Sequence, residues 1–573
     1  MWRRRANHLT LLCLISLTAT AVVFESGNPN AWADTNGQES WYSQFGRSVF
    51  TGSNAPFFDT TASPDWRSGL SISGFISNTS GMWVNSDSLT NFGRAAGEHH
   101  NANSLSVERN WMQVDTNYVL DGNNEFFLRF WGVYEPSYPW EDHSLLGPSG
   151  KFDRAAPDFY NRYDVRDAFW KNTTGPLTLF LGRQIVTWGE SISFRVGDVI
   201  NPQDLSWNFG FANLEQSRLP LWMAHPIVGL PAIGVFGSNF IEGVWAPPWQ
   251  PLYTSVDYPD GRYAGQHQVA GAVNLAPPGG GRFDVYPYPF TVPAITPPGQ
   301  QAAFPQISGS ANPPETFRLP SDRLSNSMEG VRLHTLVYNA EVTLLYWHGH
   351  QLNDTIFVTG TPATGQGLQH RYPELNDIGV TANRPVYFED KTLSQIPLVL
   401  RMEAVWQDRT PFNTISLARP SAVTYSSTLN SLVALDIDNL AVPWLTRSGT
   451  LTTNFEWNNY TILSPNKDLV YGGYAERRRH NEESLLFSAN TSWWWGAIVA
   501  NPSAIYNPDG ETWELFPSLT LTPPWTDKYL LTLQYIGILG NDKYSAYAGG
   551  NFKGKSLLLL RFQYNFTLVR GRS

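Results

Sequence analysis

Residues Leu177 to Leu205 read LTLFLGRQIVTWGESISFRVGDVINPQDL. The stretch opens as a strand, breaks at Gly182, and then carries Arg183, Gln184, Trp188, Gly189, Glu190, Arg195, Asp198, Asn201 and Pro202. We read it as a membrane-spanning strand that delivers a polar, constrained segment to the inside of a barrel. In an uninterrupted strand, Leu177, Leu179, Leu181 and Arg183 share one face. That would set Arg183 against lipid, at a cost of about 2–4 kcal/mol near the midplane. A lone glycine in a strand often marks a bulge, and a bulge at Gly182 would shift the parity and turn Arg183 inward. The alternative places Arg183 at the membrane rim, where the cost is small; the bulge is the favoured expectation.

Composition points the same way. Across 573 residues aromatics reach 14%, with 23 Trp, 25 Tyr and 32 Phe, while charged residues are only 15%, against about 25% in a typical soluble domain. Mean hydropathy is nevertheless -0.28. A chain rich in aromatics, poor in charge and yet not hydrophobic is what a barrel produces: one face of each strand meets lipid, the other meets water, and the loops are polar. The balance of 39 basic to 49 acidic residues, net -10, argues against nucleic acid as a partner. Cys13 is the single cysteine. It lies in the leader, so the mature chain has no thiol for disulfides, thiolate metal sites, Cys nucleophiles or haem attachment.

Arg3 to Arg5, the apolar run Leu9 to Phe24, and Ala31-Trp32-Ala33 before Asp34 form a secretory signal, residues 1–33. Beyond it no apolar run reaches the ~20 residues a spanning helix needs. An exported chain that crosses a membrane with strands must close them to satisfy its backbone in lipid. Residues 34–66 are an N-terminal arm or a segment inside the lumen, and 67–573 are the barrel. Residues 247–325, with Pro277-Pro278-Gly279 and Pro297-Pro298-Gly299, form a long loop that lies outside the cell or folds into the lumen.

The strand pattern repeats along the chain. Trp111 to Leu120 and Phe126 to Glu135 flank the turn Asp121-Gly122-Asn123-Asn124. The second arm opposes Phe126, Leu128 and Phe130 to Arg129 and Glu135, which fits lipid against lumen. Leu398, Leu400, Met402 and Trp406 likewise oppose Arg401 and Glu403. The chain closes on Leu557 to Phe566, an amphipathic strand resembling the signal read by barrel-assembly machinery, although Thr567 to Ser573 follow it. The expected fold is all-β: a single-chain transmembrane antiparallel barrel of roughly 16 strands, within 14–18, with an even number.

The run Gly182-Arg183-Gln184, then Trp188-Gly189-Glu190-Ser191, then Asn201-Pro202, resembles the bacterial outer-membrane family known as domain of unknown function 1302. The resemblance continues at Arg166-Asp167-Ala168-Phe169, Glu329-Gly330-Val331-Arg332 and Trp444-Leu445. It implies an outer-membrane β-barrel linked to transport of hydrophobic compounds, with an RND-type pump and a periplasmic lipoprotein-carrier-like protein as partners. The family has no established catalytic or binding residues, so none is carried over.

The candidate lumen or constriction residues are Arg183, Gln184, Glu190, Arg195, Asp198, Asn201, Arg129, Glu135, Arg401 and Glu403. Glu190, Arg195 and Asp198 are either a salt-bridge network bracing an inserted loop or a constriction whose opposed charges act on a passing solute. Trp188 and Trp493-Trp494-Trp495 read as girdle or packing residues, with a greasy ligand track as the rarer reading. Gly549 to Ser556 matches a phosphate-binding loop, but that chemistry needs a helix after the loop and Leu557 to Phe566 has period two. Gly189-Glu190-Ser191-Ile192-Ser193 lacks the closing glycine of a nucleophile elbow. His348 and His350 lack a third ligand nearby. No cofactor and no enzymatic activity are therefore expected.

The expected function is porin-like passage of a small hydrophobic compound across the bacterial outer membrane, among outer-membrane lipid. The rivals are a sleeve or docking scaffold for another envelope protein, an outer-membrane hydrolase, and a soluble glycan-binding sandwich.

Overall fold

The computed structural model describes residues 69–84, 102–103, 105–134, 162–202, 216, 218–248, 315–318, 320–351, 355–361, 365–386, 396–414, 421–470, 477–540 and 556–569. The chain divides into Met1–Asp59, which lies outside the described residues, and Thr60–Ser573, which holds a single closed sheet.

The wall strands are β1 Leu70–Trp83, β2 Leu105–Val119, β3 Asn124–Tyr134, β4 Arg162–Thr174, β5 Leu177–Gln184 and β6 Leu221–Leu230. Next come β7 Phe236–Ala246, β8 Met328–Val337, β9 Ala340–His350, β10 Glu374–Val386, β11 Leu398–Thr414 and β12 Val423–Leu440. The last six are β13 Leu451–Ile462, β14 Asn481–Trp493, β15 Ile498–Asn507, β16 Thr512–Leu521, β17 Tyr529–Gly540 and β18 Leu557–Val569. Each pairs antiparallel with its neighbours in chain order, and β1 pairs with β18 to close the ring. All 21 segments of the sheet are accounted for by 18 wall strands: β15 and β16 are each in two pieces, and Leu469–Val470 is a stub against the end of β11. The breaks fall at Pro502 and at Phe516-Pro517, where proline supplies no N–H to the ladder. The proline carbonyls still accept, from Ala489 and Tyr535 at 2.9 and 3.0 Å.

The count is 18 rather than the roughly 16 expected. Three strands are the hardest to read from sequence patterning: β6, β10 and β12. Each hides its alternation. β6 carries Pro226 and Gly229, β10 is mostly small and polar, and β12 is rich in Ser, Thr and Asn.

Alternation in the wall is clear once the register is known. On β11 Met402 is 48% exposed while Arg401 and Glu403 are 7% and 3%. Outward rows hold Leu128, Leu333, Leu344, Val380, Phe487, Leu533 and Leu560, all exposed. This apolar outer belt around a closed ring is the geometry of a transmembrane barrel.

Short turns gather at one rim. Tyr338-Asn339, with φ of 47° and 66°, joins β8 to β9, and Gly175, at φ 57°, opens the turn between β4 and β5. At the Asp121 turn the carboxylate accepts the amides of Asn123 and Asn124 at 2.8 and 2.9 Å. Those bonds and that from the Asn124 side chain hold it below the usual carboxylate range. The opposite rim carries the longer connections, including 185–220 and 247–327.

The leader, the 34–66 arm and most of 247–325 lie outside the described residues. Within that last stretch, Glu315–Arg318 pairs with Gly365–Arg371, which pairs with Thr355–Thr361, in a small sheet separate from the wall. Gly549 to Lys555 also lie outside them. The residues that follow form strand β18, not the helix whose amides would cradle phosphate.

Candidate functional site

Arg183 corrects one expectation. Pairing runs without a slip through Gly182: Leu181 faces Ala224, Gly182 faces Met223 and Arg183 faces Trp222. The register shift is on the β3–β4 side instead, beside Arg129 and Phe130. Arg183 therefore keeps the parity of Leu177, Leu179 and Leu181, one residue from the strand end. Its guanidinium grips Asp164 at 2.7 and 3.1 Å and the Val165 carbonyl at 2.6 Å. Gly182 serves close approach: a Cβ there would lie 2.2 Å from the Ala168 carbonyl oxygen. The rim alternative is the one the structure shows.

Beyond Gln184 the chain leaves the wall and turns into the lumen. Asn201 closes the base of this excursion. Its side-chain oxygen accepts the Val186 amide at 2.8 Å and its amide donates to the Leu219 carbonyl at 2.9 Å. Gln184 is buried beside it, with Oε1 3.3 Å from His225 Nδ1.

Three wall carboxylates fasten the segment. Glu242 on β7, wholly buried, accepts the Trp188 indole N–H at 3.0 Å and Arg332 Nε at 2.6 Å. His225 Nε2 lies 2.7 Å from the same Glu242 oxygen that Trp188 reaches. Glu403 on β11 accepts the backbone amides of Glu190 and Gly197, the latter at 2.7 Å. Glu456 on β13 accepts Ser191 Oγ at 2.8 Å and the Ile192 amide at 2.9 Å. Charge-assisted bonds to backbone N–H groups are among the stronger ones available. β13 is eight places from β5 around a ring of 18, one short of diametric opposition. The segment thus spans the lumen.

Arg401 ties one of these anchors to the segment. It donates to Glu456 at 3.0 Å, to Asp436, and to the Glu190 carbonyl. Asn383 donates to the Glu190 carboxylate at 2.8 Å. Burial pushes that carboxyl up, against the pull of Asn383 and Arg401. Within the segment, Arg195 Nε pairs with Asp198 at 3.2 Å, and Arg218 reaches the same carboxylate oxygen at 2.7 Å.

Two glycines let the segment fold on itself. A Cβ on Gly189 would lie 2.7 Å from the Asp198 amide, and one on Gly197 3.1 Å from both Glu403 Oε2 and the Gly189 Cα. A third admits Trp188: a Cβ on Gly330 would meet Trp347 at 2.6 Å and Trp188 at 2.9 Å.

Of the ten candidates, Glu190, Arg401 and Glu403 form one cluster and Arg195, Asp198 and Asn201 a second, with Gln184 beside them. Arg129 stands elsewhere on the wall, bidentate to Asp115 at 2.8 and 3.0 Å and 3.8 Å from Asp167. Arg183 is at the rim, and Glu135 lies outside the described residues. Glu242, Glu456, Asn383 and Arg218 were missed. Their partners are distant in sequence, so no local motif marks them. Arg332 and Trp188 lay within the motifs quoted above, and Arg166 joins them by donating to the carbonyls of Gln216 and Arg218. Trp444 sits apart, 85% exposed.

The fold and this fastened segment define a class: closed transmembrane β-barrels with a connection folded into the lumen. Among solved structures the chain is similar to OpdK of Pseudomonas aeruginosa, solved with vanillate, at 10% identity over 87% of this chain and 98% of that one, TM-score 0.43. It is also similar to OccAB1 of Acinetobacter baumannii, at 9% identity over 89% and 99%, TM-score 0.43. A third is OmpF of Salmonella typhi, in complex with daunomycin, at 9% identity over 87% and 98%, TM-score 0.36. No protein-family model and no curated protein matches the sequence.

Proposed function

We propose that the protein is a porin-like channel of the bacterial outer membrane that passes a small hydrophobic compound, with residues 185–202 setting the constriction. The observation that carries this reading is the fastening of that segment to Glu242, Glu403 and Glu456, from one side of the lumen nearly to the other. A connection pinned by buried carboxylates holds its shape while a solute passes, so selection is passive and needs no bound nucleotide. The short-turn rim faces the periplasm, as in outer-membrane barrels generally. The hydrophobic cargo rests on the resemblance carried by residues 182–202, as do an RND-type pump and a lipoprotein-carrier-like protein as companions. Swelling of proteoliposomes in graded solutes tests the reading. Small solutes enter at a rate that falls steeply with size; impermeant vesicles holding folded barrel would overturn it.

A further inference from the structure

The small sheet of Glu315–Arg318, Thr355–Thr361 and Gly365–Arg371 stands at the long-connection rim, against the ends of β11 and β12. Its Val358 amide donates to the Ser421 carbonyl, just before β12, at 2.9 Å. Two arginines meet on this sheet. Arg318 and Arg371 are register partners on adjacent parallel strands, so their side chains leave the same face side by side. Like charges so placed repel. Arg371 is nevertheless held: its Nε donates to Gln369 Oε1 at 2.6 Å and its guanidinium lies 4.5 Å from the Phe357 ring. Burial pushes that guanidinium down from its ordinary value, and the Arg318 charge adds to the push. Arg318 itself is exposed.

A third arginine comes from the wall. The β11–β12 ladder slips between Gln407 and Thr410, and Arg409, inside the slip, has φ 55°, a conformation uncommon outside glycine. A bulge of this kind re-aims a side chain. Here it lays the exposed Arg409 guanidinium 5.7 Å from the centre of the Tyr425 ring. Tyr425, 46% exposed, belongs to the lipid-facing row of β12 that runs on to Leu435. The same phenol acts on the Arg371 guanidinium, so it is neighbour to both the wall arginine and the sheet pair. Asp408, beside Arg409, accepts the Ser427 hydroxyl at 3.2 Å. Among the described residues none of the three arginines makes an ion pair.

We infer that Arg318, Arg371 and Arg409 form a docking site for the phosphorylated headgroup of a glycolipid in the outer leaflet. Guanidinium forks match phosphate oxygens two at a time, and a bound polyanion relieves the repulsion between the sheet arginines. A lipid suits the patch better than a soluble anion. Tyr425 ends the lipid-facing row, and an amphipathic ring in that place marks headgroup level. The phosphates then meet the arginines where the acyl chains meet the apolar belt. From the channel reading this takes only that the long-connection rim faces outward; the binding itself does not depend on passage.

Native mass spectrometry of the full barrel in detergent, titrated with lipid A carrying both phosphates and with its dephosphorylated form, tests the inference. The phosphorylated lipid binds, and the dephosphorylated form is weaker by about tenfold or more. Arg318→Gln, Arg371→Gln and Arg409→Gln each weaken the phosphorylated lipid by about fivefold and leave the dephosphorylated form unchanged, and the triple variant holds the two alike. Should a variant fail to assemble, the two lipids on the unaltered protein decide alone. Equal affinity for both, no binding, or indifference to the arginines would overturn the site. Inorganic pyrophosphate binding as tightly as the phosphorylated lipid would also overturn it, in favour of a soluble anion. A barrel that binds lipid A yet passes no solute would sink the channel reading and leave the site standing.

Discussion

Glu456 accepts the backbone amide of Ile192 at 2.9 Å, across 264 positions of chain and nearly the width of the lumen. That bond states the design of the interior: the wall supplies carboxylates, and the inserted segment turns amides toward them. A segment so held cannot drift with a passing molecule unless charge-assisted bonds break first.

Glu403→Ala should loosen the segment without opening the barrel. It removes the acceptor of two amides, Glu190 and Gly197, each bond to a charged group contributing about 1.5–3 kcal/mol. Hydrogen exchange at those amides should rise by about a hundredfold or more while wall amides keep their protection. Unchanged exchange at Gly197 would mean that the carboxylate is not what holds it.

Gly330→Ala should disturb Trp188 from the neighbouring strand. The added methyl would stand 2.6 Å from Trp347 and 2.9 Å from Trp188, an overpacking that costs about 1–3 kcal/mol. The temperature at which the folded band disappears on a semi-native gel should fall. A variant as stable as the parent, with unaltered tryptophan emission, would contradict the packing described.

Arg183→Gln separates the rim position from a lumen one. The pair with Asp164 is part-exposed, with side chains 23% and 21% accessible, so the stability lost should be under about 1 kcal/mol. Solute selectivity should not move. A marked change in permeation would place this guanidinium on the path after all.

Glu190 gives the segment a pH dependence of definite sign. Burial raises its carboxyl above the ordinary value, outweighing the Asn383 bond and the Arg401 charge. The fold therefore favours the protonated form, and this contribution is complete below the pKa of the unfolded chain. It is lost as pH climbs through the raised value. Exchange at the segment's amides, corrected for intrinsic rate, should accelerate over that rise in the parent and stay flat in Glu190→Gln. The opposite slope would reject the sign.

Much of this was legible in advance because lipid imposes a period of two. The stripes of β11 and β18, and the entry of residues 185–202 into an interior, follow from that alternation. It failed where proline, glycine and small or polar residues interrupt the stripe, at β6, β10 and β12. It also failed at Gly182, where the glycine answers to the Ala168 carbonyl rather than to a bulge. The anchors could not be read at all. Glu242 reaches Trp188 over 54 residues and Glu456 reaches Ile192 over 264, and only closure of the ring brings them together.

Single-channel recording in planar bilayers, comparing the parent with Glu403→Gln/Glu456→Gln, bears most directly on the claim that the fastened segment sets the passage. The parent should show one small, steady conductance. The double variant should show a larger and noisier one, from a segment free to swing aside. Identical traces from the two proteins would contradict that role.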